Sequence, residues 1–459
     1  MSVTTGVTTG VTTSVTTSVA ASVRVVETPL EPGTLAAAYL AGVTPSRWYP
    51  SVPVGRDAWA ARCRQISGAS GMWLGALRPA LGDGASLLDR VADGKGVVVT
   101  TGQQAGLFGG PWYTWLKALA ALEFARRLEK ETGIAAVPVF WAATDDADFS
   151  EAATTVIGAP EGARRLSLVQ RPPDGVPMAA AVLGEEVEQV LGVLRSSVGS
   201  LADARAMRAA ESFRPGETMG GAYVAMLRAL LEPRGVAVLD AGHPALEDAA
   251  RPRVSAALSQ ASVVHDALVA RSEALRAAGY DVSVATERAL SLVFAWEPGA
   301  DGLPRKRRIP IGESDEVAGH GVRLSPNVLL RPVVERLLLP TCAYLGGPGE
   351  LAYFAQVSAV AEALGAPAPL ALPRWSGMIL PRELEDTLAR MDLRIEDLRD
   401  PHAAEARIAR AALPGDAMAA ITDLRGAIAR DLTRLTGSLS PAAMAGAANQ
   451  LGRRVDRLA

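Results

Sequence analysis

The order of hydrophobic and polar positions from residue 96 onwards predicts a strand, a loop, a helix and a second strand. Residues 96–101 are a short β-branched run, typical of a strand buried on both faces of a parallel sheet. A glycine-rich loop is predicted at 102–110, and Pro111 fits the first position of a helix. The second strand, 136–143, ends in a cluster of acids. This pattern indicates a βαβ unit of an α/β fold, whose ligands gather where strands meet the following loops.

The apolar stripe of that helix consists of Trp112, Trp115, Leu116, Leu119 and Leu122. Further buried strands are predicted at 235–240 and 337–345, and the second is followed by a glycine-rich turn and a helix that begins at Glu350. Segments 155–230 and 262–325 differ from these core pieces. The second combines a helix at 262–278 with strands near 282–295 and 308–311. We therefore predict two lobes inserted into the core.

Beyond residue 381 the chain is predicted to be helical. Apolar residues recur every three or four positions at Ile421, Leu424, Ile428, Leu432 and Leu435, and again at Met444, Leu451, Val455 and Leu458. This favours an antiparallel helical hairpin with a coiled-coil seam, although two helices folded onto the main core fit the spacing nearly as well.

These patterns divide the chain into seven segments. A low-complexity Val-Thr-Thr repeat at 1–25 is predicted to be a disordered tail, or to follow from a start codon assigned too early, and it is a poor signal peptide. The core comprises 26–154, 231–261 and 326–380, the lobes are 155–230 and 262–325, and the helical arm is 381–459.

Composition excludes several classes of protein. The 459 residues are 49 % hydrophobic and 21 % charged, with a net charge of −3, which gives no electrostatic basis for nonspecific nucleic-acid binding. No apolar run is long enough to span a membrane. The one compact basic run, 305–308, is predicted to be a solvated hairpin arm rather than a phosphate-binding patch.

Cysteine and histidine usage gives no metal site. The two cysteines lie far apart in sequence, so we expect reduced thiols, with Cys342 in the core, and a cytoplasmic protein. The four histidines lack the spacing of a zinc motif.

The first candidate site is Thr101-Gly102-Gln103-Gln104. A loop between a buried strand and a helix offers free backbone N–H groups, and the Gln amides add donors and acceptors, which suits a carboxylate, a phosphate or a sugar hydroxyl. The alternative is a purely structural turn.

The second candidate is the acidic cluster Asp145, Asp146 and Asp148. Because alternate residues of an extended chain point the same way, Asp146 and Asp148 are expected to face one ligand, such as an amine, a sugar hydroxyl or a metal–phosphate. The alternative is a solvated loop that caps the next helix.

Two later segments carry further candidates. Arg331 lies among apolar residues after Asn327, so it is expected to bind a carboxylate or phosphate, or else to form a structural salt bridge with one of the acids. Around the turn after the third core strand, the candidates are Tyr344, Gly347, Gly349 and Glu350. Its GxGxxA pattern lacks the later acid of a dinucleotide site, so an anion other than NAD is favoured.

Together these segments resemble the bacillithiol cysteine-adding family (BshC). The similar stretches are TGQQAGLFGGP at 101–111, FWAATDDADF at 140–149, SPNVLLRP at 325–332, LLPTCAYLGGPGELAYFAQ at 338–356 and PRWSG at 373–377. The resemblance implies a Rossmann-like core, two inserted connecting lobes and a coiled-coil arm that forms a homodimer. It also implies amide formation between L-cysteine and glucosaminyl-malate in the cytoplasm, with ATP or another nucleotide as a plausible cofactor.

On this resemblance, Thr101, Gly102, Gln103 and Gln104 hold the acceptor's anionic or sugar end. Asp146 and Asp148 hold or deprotonate the amine, Asp145 supports them, and the other candidates line the remaining wall. Two departures put this in doubt: Ala147 stands where the family usually has a histidine, and the family's closing segment is missing, which would shorten the dimer seam. The alternatives are an impaired accessory protein that binds sugar or nucleotide, and a class I nucleotidyl-transferase-like enzyme acting on another amine.

Overall fold

The computed structural model describes residues 23–28, 30, 33–68, 73–159, 162–198, 204–287, 289–319, 321–412 and 414–436. It divides into one unit at 28–376 and another that combines 23–27 with 377–436. Most of the predicted tail and the second helix of the predicted arm lie outside the described residues. No helix in the described ranges is long and apolar enough to cross a membrane.

Strands occur throughout the described chain. They are β1 (Val23–Glu27), β2 (Gly96–Gln104), β3 (Ala135–Ala143), β4 (Thr154–Ala159), β5 (Gly162–Ser167), β6 (Ala237–Asp240), β7 (Leu290–Pro298), β8 (Pro304–Pro310), β9 (Leu324–Pro326), β10 (Thr341–Gly346), β11 (Ala371–Pro373) and β12 (Gly377–Pro381).

The α-helices between and after them are α1 (Leu35–Leu40), α2 (Arg56–Gly68), α3 (Leu74–Leu81), α4 (Trp112–Thr132), α5 (Phe149–Ala152), α6 (Glu186–Val198), α7 (Ala204–Ala210), α8 (Met219–Leu231), α9 (Pro244–Ser259), α10 (Ala261–Ala277), α11 (Ser314–Gly319), α12 (Arg331–Leu338), α13 (Pro348–Ala363), α14 (Arg382–Arg390), α15 (Pro401–Ala412) and α16 (Gly415–Thr436). Short 3-10 helices lie at Gly82–Leu88, Leu107–Gly109, Glu232–Arg234, Ile311–Glu313 and Ile395–Arg399.

The first unit is built on a parallel sheet with the strand order β11-β10-β2-β3-β6. The chain passes from β2 through α4 to β3 on one side, and from β10 through α13 to β11 on the other. The boundary between β2 and β10 is therefore a topological switch point, where α/β sheets leave a crevice for ligands. The predicted α/β fold with a parallel sheet is confirmed.

The central strand β2 is buried on both faces of the sheet. Val98 belongs to the hydrophobic cluster on one face of the sheet, whereas Val97 and Val99 belong to the cluster on the other. The strand nevertheless extends to Gln104, so the predicted boundary of the loop at residue 102 was wrong. Gly102 allows this extension because a Cβ there would lie 2.7 Å from the carbonyl oxygen of Trp141 on β3.

Helix α4 buries only part of the predicted apolar stripe. Leu116 and Leu122 are buried as expected, but Trp112 and Leu119 are 57 % and 46 % exposed. The buried face contains small residues such as Ala118 and Ala121, which let the helix approach the sheet closely. The helix ends at Gly133, whose φ of 72° forms a left-handed cap.

Two other strands are shorter than predicted. The expected strand at 337–345 begins at Thr341, because α12 occupies its first residues. The expected strand at 235–240 begins at Ala237, because Gly235 (φ 93°) ends the preceding 3-10 helix. The predicted helix at 262–278 is confirmed as α10.

Small antiparallel sheets lie in the two predicted lobe segments. β4 pairs with β5, and β7 lies between β8 and β9. In the second unit, β1 pairs with β12, so residues 23–25 form part of a strand instead of a disordered tail. The first predicted arm helix is found as α16, and its pairing with a second helix stays a prediction.

Candidate active site

A cleft of about 850 Å³ opens at the carboxyl ends of β2, β3 and β10. Eleven of the predicted site residues line it, namely Gly102, Gln103, Gln104, Asp145, Asp146, Asn327, Arg331, Tyr344, Gly347, Gly349 and Glu350. Thr101 and Asp148 are not among its lining residues. The cleft lies at the switch point between β2 and β10, so segments that are remote in sequence meet around it.

Hydrogen-bond partners determine the orientation of the side-chain amides of the two glutamines at the end of β2. Lys117 Nζ, which can only donate, lies 2.9 Å from Oε1 of Gln103. Gln104 Nε2 donates to Oδ2 of Asp146 at 2.8 Å. The remaining amide group of Gln103 is therefore a donor, and that of Gln104 is an acceptor.

Lys117 is a site residue that the sequence did not indicate. It is buried within α4, and its Nζ also donates to the carbonyl of Gly102 at 2.7 Å and pairs with Glu350 Oε2 at 2.6 Å. Burial lowers the pKa of Lys117, and the charge of Glu350 opposes that shift. Lys117 thus ties the end of β2 to the start of α13.

Glu350 is held by three donors. Tyr344 Oη donates to Oε1 at 2.5 Å, while the backbone N–H of Gly347 at 2.8 Å and Lys117 both contact Oε2. The Gly347 contact caps α13 in the same manner as a capping box. Each Glu350 oxygen therefore accepts at least one hydrogen bond within the protein.

The three acids have different surroundings. Asp145 Oδ2 accepts from Lys306 Nζ and from the Ser325 hydroxyl, both at 2.9 Å. Asp146 accepts from Gln104 and, through Oδ1, from the backbone N–H of Asp148 at 2.9 Å. The exposed Asp148 caps α5 by accepting from Glu151 N at 3.1 Å. Asp146 and Asp148 therefore do not face one ligand together, because the side chain of Asp148 turns to the helix that follows it.

The basic run on β8 is only partly solvated. Alternate residues of a strand face opposite sides, so Lys306 and Arg308 line the cleft whereas Arg305 and Arg307 pair with carboxylates of their own lobe. The Lys306 ammonium lies 5.5 Å from the centre of the Phe294 ring, and the Arg308 guanidinium lies 5.2 Å from it. The prediction of a solvated arm was wrong for these two residues.

Arg331 and Asn327 are held by α12. Arg331 Nη1 lies 3.1 Å from Oε2 of the buried Glu335, so its partner is not one of the predicted aspartates. Its guanidinium packs between the rings of Trp141 and Tyr344. Asn327 Oδ1 accepts from the backbone N–H groups of Leu329 and Leu330 just before the helix.

Thr101 has a structural contact inside the sheet. Its hydroxyl donates to the carbonyl of Leu345 at 2.7 Å, which links β2 to β10. On β10, Cys342 is fully buried as predicted, and its Sγ lies 3.5 Å from that of Cys63, a proximity that the sequence did not indicate. Among the described residues, no group of three or more His, Cys, Asp or Glu side chains is arranged to hold a metal.

The segments that line the cleft match one known protein family. A family model described as "Bacillithiol biosynthesis BshC, N-terminal Rossmann-like domain" matches residues 83–301 and 313–375. The chain belongs to the BshC family. The match contains the cleft residues of β2, β3 and β10, while 302–312, with Lys306 and Arg308, lies outside it.

Relatives of the BshC family cover much of the chain. Proteins named "Putative cysteine ligase BshC" from Koribacter versatilis and Solibacter usitatus are 32 % and 34 % identical to it over 78 % and 68 % of its length. One from Chlorobaculum tepidum is 29 % identical over 66 %. The chain spans 70 %, 60 % and 56 % of these three relatives, respectively.

Proposed function

We propose that this chain is a ligase that forms the amide bond between the carboxyl group of L-cysteine and the amine of glucosaminyl-malate, as the last step of bacillithiol biosynthesis. Family membership and the printed names of the relatives support the reaction class. The observation that carries the proposal is the position of Asp146, a carboxylate at the edge of a cleft large enough for a small acceptor.

Asp146 is the proposed base. An amine attacks a carbonyl only without its extra proton, so a carboxylate within reach of the ammonium can accept that proton. Gln104 and the backbone N–H of Asp148 orient the Asp146 carboxylate, and each of its oxygens retains a second lone pair. The nitrogen then bonds to the cysteine carbonyl carbon, and the activated carboxyl oxygen departs with its activating group.

The remaining cleft residues are proposed to bind the substrates. The donor amide of Gln103 suits an oxygen of the acceptor, and the acceptor oxygen of Gln104 suits a sugar hydroxyl. Asp145, held by Lys306 and Ser325, supports the base. ATP or another nucleotide is the proposed source of carboxyl activation, and α16 is proposed to contribute to a homodimer.

The test is product formation. Purified chain is incubated with glucosaminyl-malate, L-cysteine and ATP, and bacillithiol is sought by mass spectrometry, with the Asp146→Asn variant as the matched negative control. We expect product with the unaltered chain and formation at least about a hundredfold slower with the variant. If a relative of the family converts the same mixture and this chain yields no product, the ligase proposal is discarded.

A further inference from the structure

Arg374 lines the cleft directly after β11, close to the start of α13. Its Nη1 donates to the carbonyl of Trp375 at 2.8 Å and to the Ser376 hydroxyl at 2.9 Å. The guanidinium also packs over the ring of Tyr113, 5.9 Å from the ring centre. These contacts hold the plane of the guanidinium in one orientation.

The other edge of the guanidinium has no acceptor in the described part of the chain. Nε is buried without a hydrogen-bond partner, and the described carboxylates form no ion pair with Arg374. Glu350 is the nearby acid, but its hydrogen bonds within the described chain are with Tyr344, Gly347 and Lys117 and none is with Arg374. The guanidinium therefore lines the cleft with Nη2 unpaired among the described residues, and an arginine in this setting suits a carboxylate or phosphate of a ligand.

Gly347 lines the cleft beside the Nη2 end of this edge. A Cβ on Gly347 would lie 3.6 Å from both Arg374 Nε and Glu350 Oε2 and 3.8 Å from Arg374 Nη2, so a longer side chain would crowd the guanidinium. Gly349 lines the same part of the cleft and has no atom within 4 Å of its Cβ position. Nη2 carries charged N–H donors that suit an oxygen of a carboxylate or phosphate.

We propose that Arg374 binds an oxyanion of the cleft ligand through Nη2. The inference deepens the proposed function and rests on it for the nature of the ligand. Glucosaminyl-malate and cysteine supply carboxylates, and a nucleotide supplies phosphates, so the two sources share one chemistry. If Arg374 only held the turn at 375–376, its replacement would change stability without changing the affinity for anions.

The experiment is isothermal titration calorimetry of the full chain with four separate probes: L-malate, L-cysteine, inorganic pyrophosphate and ATP. Arg374→Met removes the charge, and Arg374→Lys retains the charge but not the planar fork. The control is Arg195→Met on α6, which removes an exposed arginine paired with Glu211 and outside the cleft lining. Thermal unfolding of each variant checks that it is folded. If Arg374→Met does not fold, Arg374→Lys is the variant compared with the unaltered chain.

We expect at least one probe to bind the unaltered chain, with affinity reduced about tenfold or more in Arg374→Met, severalfold in Arg374→Lys and unchanged in Arg195→Met. Loss of malate or cysteine binding identifies a carboxylate, and loss of pyrophosphate or ATP binding identifies a phosphate. The inference is overturned if no probe binds, or if folded variants at Arg374 bind every probe as the unaltered chain does. If substitutions at Arg374 leave product formation unchanged, this inference alone is rejected. If probe binding depends on Arg374 but no product forms, only the ligase proposal is rejected.

Discussion

Lys306 Nζ on β8 lies 2.9 Å from Asp145 Oδ2 at the end of β3, although 161 residues separate the two in sequence. Both side chains are mostly buried, with 11 % and 18 % of their surface exposed. The pair joins the inserted β7–β8 hairpin to the edge of the parallel sheet. It therefore connects two parts of the chain that both line the cleft.

The first prediction concerns this ion pair. We expect Lys306→Met to lower the free energy of unfolding by about 2–3 kcal/mol, because it leaves Asp145 largely buried with one hydroxyl partner. Arg307→Met on the same strand is the control, since its ion pairs are 40–48 % exposed and should contribute about 0–1 kcal/mol. Urea denaturation measures both, and equal losses would contradict a special role for Lys306.

The second prediction separates two neighbouring acids. We expect Asp146→Asn to reduce kcat by about 10²–10⁴-fold, because it removes the proposed base. Asp148→Asn should retain near-normal kcat, because asparagine caps a helix about as well as aspartate does. Steady-state kinetics of product formation compares them, and a similar loss in both variants would restore Asp148 to the catalytic set.

How far the sequence could predict this site depends on how local its signals are. The β-branched run of β2 and the glycines after β10 each indicate the backbone structure of their own segment. The sheet and most of the cleft motifs were therefore predictable. Lys117 and Arg374 were missed, and Lys306 was predicted to be solvated, because the cleft neighbours of these residues come from other parts of the chain. Spacing also could not decide between ligand and cap for Asp148, since both need a carboxylate at the same position.

The third prediction concerns Arg331 and Glu335. Arg331→Met should lower the free energy of unfolding by about 3–5 kcal/mol, because it leaves the buried Glu335 carboxylate without its ionic partner. Burial already raises the pKa of Glu335. Replacing both residues, as Arg331→Met with Glu335→Leu, should recover much of that loss. A double-mutant cycle by urea denaturation measures the coupling. Purely additive losses would show that the pair does not act as a unit.

The fourth prediction is a pH dependence at Lys117. Because burial lowers its pKa, the ammonium loses its proton below the ordinary value of 10.5 and leaves Glu350 without a neutralising charge. Affinity for an anionic probe should therefore fall as the pH rises towards that lowered pKa. The pKa values of Tyr113, Tyr344 and Tyr353 are raised, mainly by burial, so these hydroxyls remain protonated over that range.

Lys117→Arg tests this assignment, because a guanidinium stays charged throughout. Calorimetric titrations at increasing pH should show a flatter profile for this variant than for the unaltered chain. The same shift has the opposite sign for folding: the folded chain releases the proton first, so the Lys117 contribution to stability rises with pH up to 10.5. Identical binding profiles for the two proteins would remove Lys117 from the explanation.

The fifth prediction concerns Ala147, a half-buried residue of the cleft lining between two of the acids. If a histidine transfers a proton at this position in the family, Ala147→His should raise kcat severalfold while leaving KM nearly unchanged. Ala147→Gln adds bulk without a titratable group and serves as the control. Equal rates in all three proteins would show that this chain does not use position 147 for proton transfer.

Because side chains alternate between the two faces of β8, the register of the β7–β8 hairpin decides which of its residues line the cleft. Sliding β8 by a single residue against β7 would turn Arg305 and Arg307 inward and Lys306 and Arg308 outward, with no change in total charge. Asp145 would then meet a forked guanidinium instead of a compact ammonium. A one-residue insertion in the turn at 299–303 that shifted this register would thus exchange the cationic residues that line the cleft. Every lining residue of the parallel sheet would stay in place.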